Sequence, residues 1–155
     1  MPKIEISPSK GLVQKPGSGV VYKDSTVVQG ASQLVVGATG ADARVTLVKE
    51  QSGAFCHWAG SNASHFTLPA PESGLRFTFF ASTDHAHKLI ATSDIMQGSV
   101  IHNANGTTLT RQAVSDTTSI TMHGTNHAVS DYIDCWCDGT NWYVEARTND
   151  AVTLA

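Results

Sequence analysis

The chain has 155 residues, of which 41% are hydrophobic and only 15% charged, with a formal net charge of −3. That length suffices for one compact domain burying roughly 70% of its unfolded surface without help from disulfides. The charged fraction lies below the ~25% usual for soluble domains, and no basic run could neutralise a row of phosphates, which argues against nucleic-acid binding. No run approaches the ~18 apolar residues of a membrane span, and "MPKIEISPSKGLVQKPGSG" has no apolar secretion core. Three cysteines, an odd number, argue against a disulfide framework and for a chain made in a reducing cytosol.

Residues 1–19 hold Pro2, Pro8 and Pro16 with Gly11, Gly17 and Gly19. Such punctuation predicts an extended N-terminal arm that orders on something else, with Ile4 and Ile6 alternating against Lys3 and Glu5. From residue 20 onward the pattern predicts strand after strand. "GVVYKD", "STVVQG", "QLVVGA" and "ARVTLVKE" are β-branched runs separated by Gly, Ser and Asp. "GLRFTFFAS" sets Leu75, Phe77 and Phe79 against Arg76 and Thr78; "HKLIATSD", "GSVIHN" and "TSITMHG" follow, the last with Ile120 and Met122 on one face. No window shows helical spacing, and turn residues recur about every 8–12 positions. The expectation is an all-β fold: an arm over 1–19, then a single β-sandwich of jelly-roll type over 20–155.

"DYIDCWCDGTNWYVEAR", residues 131–147, predicts a hairpin. Alternation puts Ile133, Cys135 and Cys137 on one face and Tyr132, Asp134 and Trp136 on the other, with Trp142, Val144 and Ala146 together on the returning strand. Cys135 and Cys137 form a CxC, not the spacing of a zinc knuckle or redox pair, so core packing is expected, with a bridge involving Cys56 as an alternative. His85 and His87 in "DHAHK" would share a strand face and could offer two imidazoles to a metal, but no Glu follows at cupin spacing. The expected role of these histidines is a polar surface one. No phosphate loop, nucleophile elbow or singled-out carboxylate pair is present, so neither an enzyme nor a cofactor is expected. Trp58, Trp136, Trp142, Tyr132 and Tyr143 could form a glycan-stacking platform, or fill the core.

"FTLPAPESGLRFTFF", then "KLIATSD", "GSVIHN", "TSITMHG" and "DYIDCWCDGTNWYVEAR", resembles the β-domains of tailed-bacteriophage virion proteins, in which an "LPxxxxGxxFTF" strand and a closing "DGTxWYV" hairpin recur. The pattern runs from Phe66 to Arg147, about half the chain, and points most closely to capsid decoration (cement) proteins, given the short chain and the arm. "DHAHK" and the CWC triplet depart from it. The resemblance implies a structural protein on the outer surface of the virion head, made in the host cytoplasm and acting as a homotrimer that clamps neighbouring major capsid subunits. Under it Lys3, Ile4, Ile6 and Lys10 are the expected capsid-contact residues of the arm. The alternative it leaves is a receptor- or glycan-binding module of a head fibre or tail-fibre tip.

Overall fold

The computed structural model describes residues 5–7, 11–13, 21–22, 26–27, 34–36, 42–104, 108–122 and 131–155. The chain divides into two compact units, Met1–Gly30 and Ala31–Ala155. In the first, β1 (Glu5–Ser7) pairs antiparallel with β2 (Gly11–Val13), Ile6 opposite Leu12, and β3 (Val21–Tyr22) pairs antiparallel with β4 (Thr26–Val27). Lys3, Ile4 and Lys10 lie outside the described residues, as does the side chain of Ile6.

The second unit is an all-β sandwich. Its strands are β5 (Leu34–Val36), β6 (Ala43–Thr46), β7 (Phe55–Trp58), β8 (Ser64–Thr67), β9 (Arg76–Ala81), β10 (Lys88–Ile90), β11 (Met96–Ala104), β12 (Thr108–Thr117), β13 (Ser119–Thr121), β14 (Tyr132–Cys137), β15 (Trp142–Thr148) and β16 (Thr153–Leu154). One sheet has the order β12-β11-β15-β14-β9-β7-β5, the other β16-β13-β10-β8-β6. A single 3₁₀ turn, Lys49–Gln51, is the only helical element among the described residues.

From β5 to β10 the chain alternates between the sheets, and each return strand lies parallel to the one before it. β5, β7 and β9 stack in the larger sheet, and β6, β8 and β10 in the smaller. This makes three coils of a short solenoid. Ala43 pairs with Ser64 one coil on, and His65 with Lys88, so a coil is 21 to 23 residues. The corners repeat as well. "TLVKEQSG" (46–53) and "TLPAPESG" (67–74) place Leu47 and Leu68 in the core. Their N–H groups donate to the next coil, at Thr67 O (2.9 Å) and Ile90 O (2.8 Å). Each corner closes on a glycine in the left-handed region, Gly53 at φ 85° and Gly74 at φ 87°, where a side chain is disfavoured.

The third coil is covered by antiparallel strands: β14 pairs with β9, β15 with β14, and β13 with β10. β11 then runs parallel to β15, and β12 folds back on β11 as the edge. Gly98 lets β11 approach β15, because a Cβ there would sit 2.0 Å from the Val144 carbonyl oxygen.

Inward alternation builds the core. Val45, Phe66, Leu89 and Ile120 line up across the smaller sheet, facing Cys56, Phe79, Ile133 and Ala146 in the larger. Trp58 bridges the layers, stacked on Phe79 (5.4 Å between ring centroids) and tilted against Phe66 (5.5 Å). Trp58 and Trp142 are fully buried, and their Nε1–H groups have no partner among the described residues. Burying rings of 150–250 Å² contributes roughly 4–6 kcal/mol each, more than the ~1–3 kcal/mol cost of an orphan donor, so packing wins.

Candidate functional site

Two of the segments on which the expected virion resemblance rests are neighbours in space. β9, which follows "LPAPESG", and the β14–β15 hairpin form a continuous antiparallel triplet at the middle of the larger sheet. Its outward face carries the side chains that alternation keeps out of the core, in three registered rows. Arg76, Trp136, Tyr143 and Gln97 form the first row; Phe55, Thr78, Asp134, Glu145 and Ser99 the second; His57, Phe80, Tyr132, Arg147 and Ile101 the third.

Aromatic rings gather at two places on this face, in the middle of the first row and around Phe80 in the second and third. Trp136, 43% exposed, is stacked with Tyr143 across the hairpin, with centroids 6.3 Å apart and planes 21° apart. Phe80 packs against Phe55 (6.0 Å) and His57 (5.9 Å). Between them Asp134 accepts from Arg76 Nη2 (2.5 Å) and Thr78 Oγ1 (2.8 Å), and that hydrogen bond and ion pair raise the Arg76 pKa. The hairpin turn is fixed by Asp138, whose Oδ1 accepts from the Thr140 and Asn141 N–H groups (2.8 Å each) and whose Oδ2 accepts from the Tyr143 hydroxyl (3.1 Å). The N–H bonds from Asn141 and Thr140, with the Tyr143 hydroxyl, hold its carboxyl below the usual range. The turn thereby also orients one ring of the stack.

Other expected site residues fall elsewhere. Cys56, Cys135 and Cys137 are free thiols in the core, as alternation predicted for Cys135 and Cys137. Burial pushes the Cys56 thiol up to about 12, raises Cys135 well above its ordinary value and raises Cys137, so none is poised as a thiolate. The histidine pair requires correction. His85 and His87 do not share a strand face; they lie in the turn before β10, where the His87 N–H donates to His85 O (2.7 Å). His87 is not a surface residue either. It is fully buried, its ring stacked on Trp58 (5.5 Å, 12°), with Nδ1 facing Ser64 and Nε2 facing Thr83 Oγ1 (3.0 Å). Ser64 at Nδ1 and the Thr83 hydroxyl at Nε2 occupy both ring nitrogens. No group of three His, Cys, Asp or Glu side chains able to hold a metal occurs among the described residues.

The aromatic platform divides: Trp58 and Trp142 are core residues unavailable for stacking on a sugar, whereas Tyr132, Trp136 and Tyr143 face outward.

No family model, curated protein or solved structure matches this chain.

Phe55 and Phe80 escaped the sequence reading. Phe55 belongs to "FCHW", a strand too short and too apolar to show an alternation, and Phe80 falls on the Arg76 and Thr78 side of the "RFTFF" alternation, an apolar ring where that pattern expects polar residues.

Proposed function

We propose that this protein is a structural component of a virion surface, binding the outside of an assembled phage head and clamping neighbouring major capsid subunits as a decoration protein. The observation that supports it is the outward face of the larger sheet. It is a ladder of outward-facing rings, Phe55 and Trp136 exposed and Phe80, Tyr132 and Tyr143 half-buried, interleaved with charges of both signs. Aromatic residues and arginine are the side chains enriched at the centres of protein interfaces. The resembling segments supply much of that face, which ties the reading to the sequence motif.

In this reading the protein acts as a homotrimer on the mature shell. Once one protomer is seated the other contacts become intramolecular, and binding only the assembled shell stabilises it by mass action. The arm residues Lys3, Ile4, Ile6 and Lys10 add a second contact by strand pairing with a capsid sheet edge. The test is co-sedimentation of the full chain with expanded, undecorated heads. Saturable pelleting that weakens on deleting residues 1–19 is expected, and protein that stays in the supernatant refutes the reading.

A second reading, a glycan-binding module, is favoured by the outward-facing Trp136–Tyr143 stack alone. Because Trp136 is the one exposed tryptophan of the three, saturable quenching of its fluorescence by an oligosaccharide, lost in Trp136→Phe, would select it.

A further inference from the structure

The outward face of the smaller sheet has a different composition. Parallel stacking of the coils brings Arg44 of β6, His65 of β8 and Lys88 of β10 into one register row, which continues through Thr121 of β13 and Thr153 of β16. All five point outward, since their neighbours Val45, Phe66, Leu89 and Ile120 point into the core. Adjacent strands are ~4.8 Å apart, so Arg44 and Lys88 arise about 10 Å apart, one on each side of His65. Both side chains are long enough to converge above the imidazole.

Arg44 and Lys88 each face His65 and not one another, so two cations flank one imidazole, a row in which strand pairing would usually interleave the opposite sign. Here compensation is small. Among the described residues Arg44 and Lys88 have no ion pair, and the nearest carboxylate is Asp42, with Oδ1 3.6 Å from His65 Nε2 on a side chain itself 82% exposed. His65 is 11% exposed, and its Nδ1 is buried with no partner among the described residues. Burial lowers its pKa first, Arg44 and Lys88 lower it further, and Asp42 opposes them. The row therefore offers a guanidinium, an imidazole, an ammonium and two hydroxyls, with one exposed carboxylate at its margin.

We propose that the Arg44–His65–Lys88 row is an oxyanion-binding site, taking a sulfate, phosphate or carboxylate group between the guanidinium and the ammonium, above the imidazole, with Thr121 as a further donor. The anion supplies the negative charge that the row lacks. Arg44 provides a planar fork of donors and Lys88 a point charge, and bonds to an ionised acceptor are the strong ones. The site does not depend on the decoration reading, because it lies on the opposite sheet from the aromatic face.

The test is titration of the full-length protein, isotope-labelled at histidine and lysine, with sodium sulfate and with sodium chloride at matched ionic strength, followed by NMR. Saturable shifts at His65 and Lys88 with sulfate and not chloride are expected, while His57 on the other sheet stays still. The His65 pKa should rise in the sulfate-bound form. Arg44→Gln with Lys88→Gln, two surface changes checked for folding by circular dichroism, should abolish saturation. Shifts that track ionic strength whichever anion is added, or a double variant that saturates like the parent, would overturn the proposal. A glutamate-rich peptide, titrated in parallel, separates the two sources. Competition between peptide and sulfate assigns the site to carboxylates displayed by a macromolecule; sulfate binding that the peptide does not displace assigns it to a free oxyanion.

Discussion

The two outward faces of the sandwich arise from the same alternation of strand residues, yet they carry opposite chemistry. The larger sheet displays rings, with cations and carboxylates interleaved: Arg76, Asp134, Glu145 and Arg147 lie among Phe55, Phe80, Tyr132, Trp136 and Tyr143. The smaller sheet displays Arg44, His65 and Lys88 with threonines, and one exposed carboxylate beside them. Inward positions are constrained by packing and look alike on both sheets. Outward positions have no such constraint, so their differences report what each face meets.

That contrast is sharpest within a single hairpin. Trp142 points inward and Trp136 outward. Trp142→Ala should cost about 3–5 kcal/mol, read as a fall in the denaturant midpoint, whereas Trp136→Ala should change stability by under ~1 kcal/mol and impair only binding. Equal losses at the two would show that the outward ring is structural. A similar pair of backbone changes comes next. Gly98→Ala drives a Cβ into the Val144 carbonyl and should cost about 2–4 kcal/mol, while Gly74→Ala meets nothing within 4 Å and should cost only the ~1 kcal/mol of a left-handed alanine.

On the outward face of the larger sheet, Asp134→Ala removes the shared acceptor of Arg76 and Thr78 and should cost about 1 kcal/mol, discounted because Arg76 is largely exposed. The smallest effect belongs to His65. Its folded pKa is lowered below 6.5, so the unfolded chain binds the proton better. Its contribution is complete above the unfolded value and is lost as pH falls through 6.5 toward the folded pKa. Arg44→Gln should move the His65 pKa back toward 6.5 and flatten that dependence, observable by NMR titration. An unchanged pKa would break the electrostatic account of the row.

Much of this was legible in the sequence. β-branched runs and the alternation in "GLRFTFF" and "DYIDCWC" placed strands and faces, because a half-buried strand must alternate. What remained hidden depended on contacts between distant residues. Arg44, His65 and Lys88 sit a coil apart, so no basic run marks their row. The TLxxxxSG repeat occurs only twice, joined by dissimilar strands, and goes unnoticed until parallel pairing aligns it. β12 is a ten-residue edge strand that buries only Val114 and Thr117, with Leu109 75% exposed, so its mostly polar sequence carries little alternation. His87 reads as polar, and only the Trp58 ring beneath it and the hydroxyls of Ser64 and Thr83 explain its place in the core.

Co-sedimentation with expanded, undecorated heads, comparing the parent chain with a Tyr132→Ala/Trp136→Ala variant that remains folded, tests the account most directly. The parent should pellet saturably and the variant should be left largely in solution. A parent that never pellets, or a variant that pellets as well as the parent, would contradict the assignment of the ringed face to the shell.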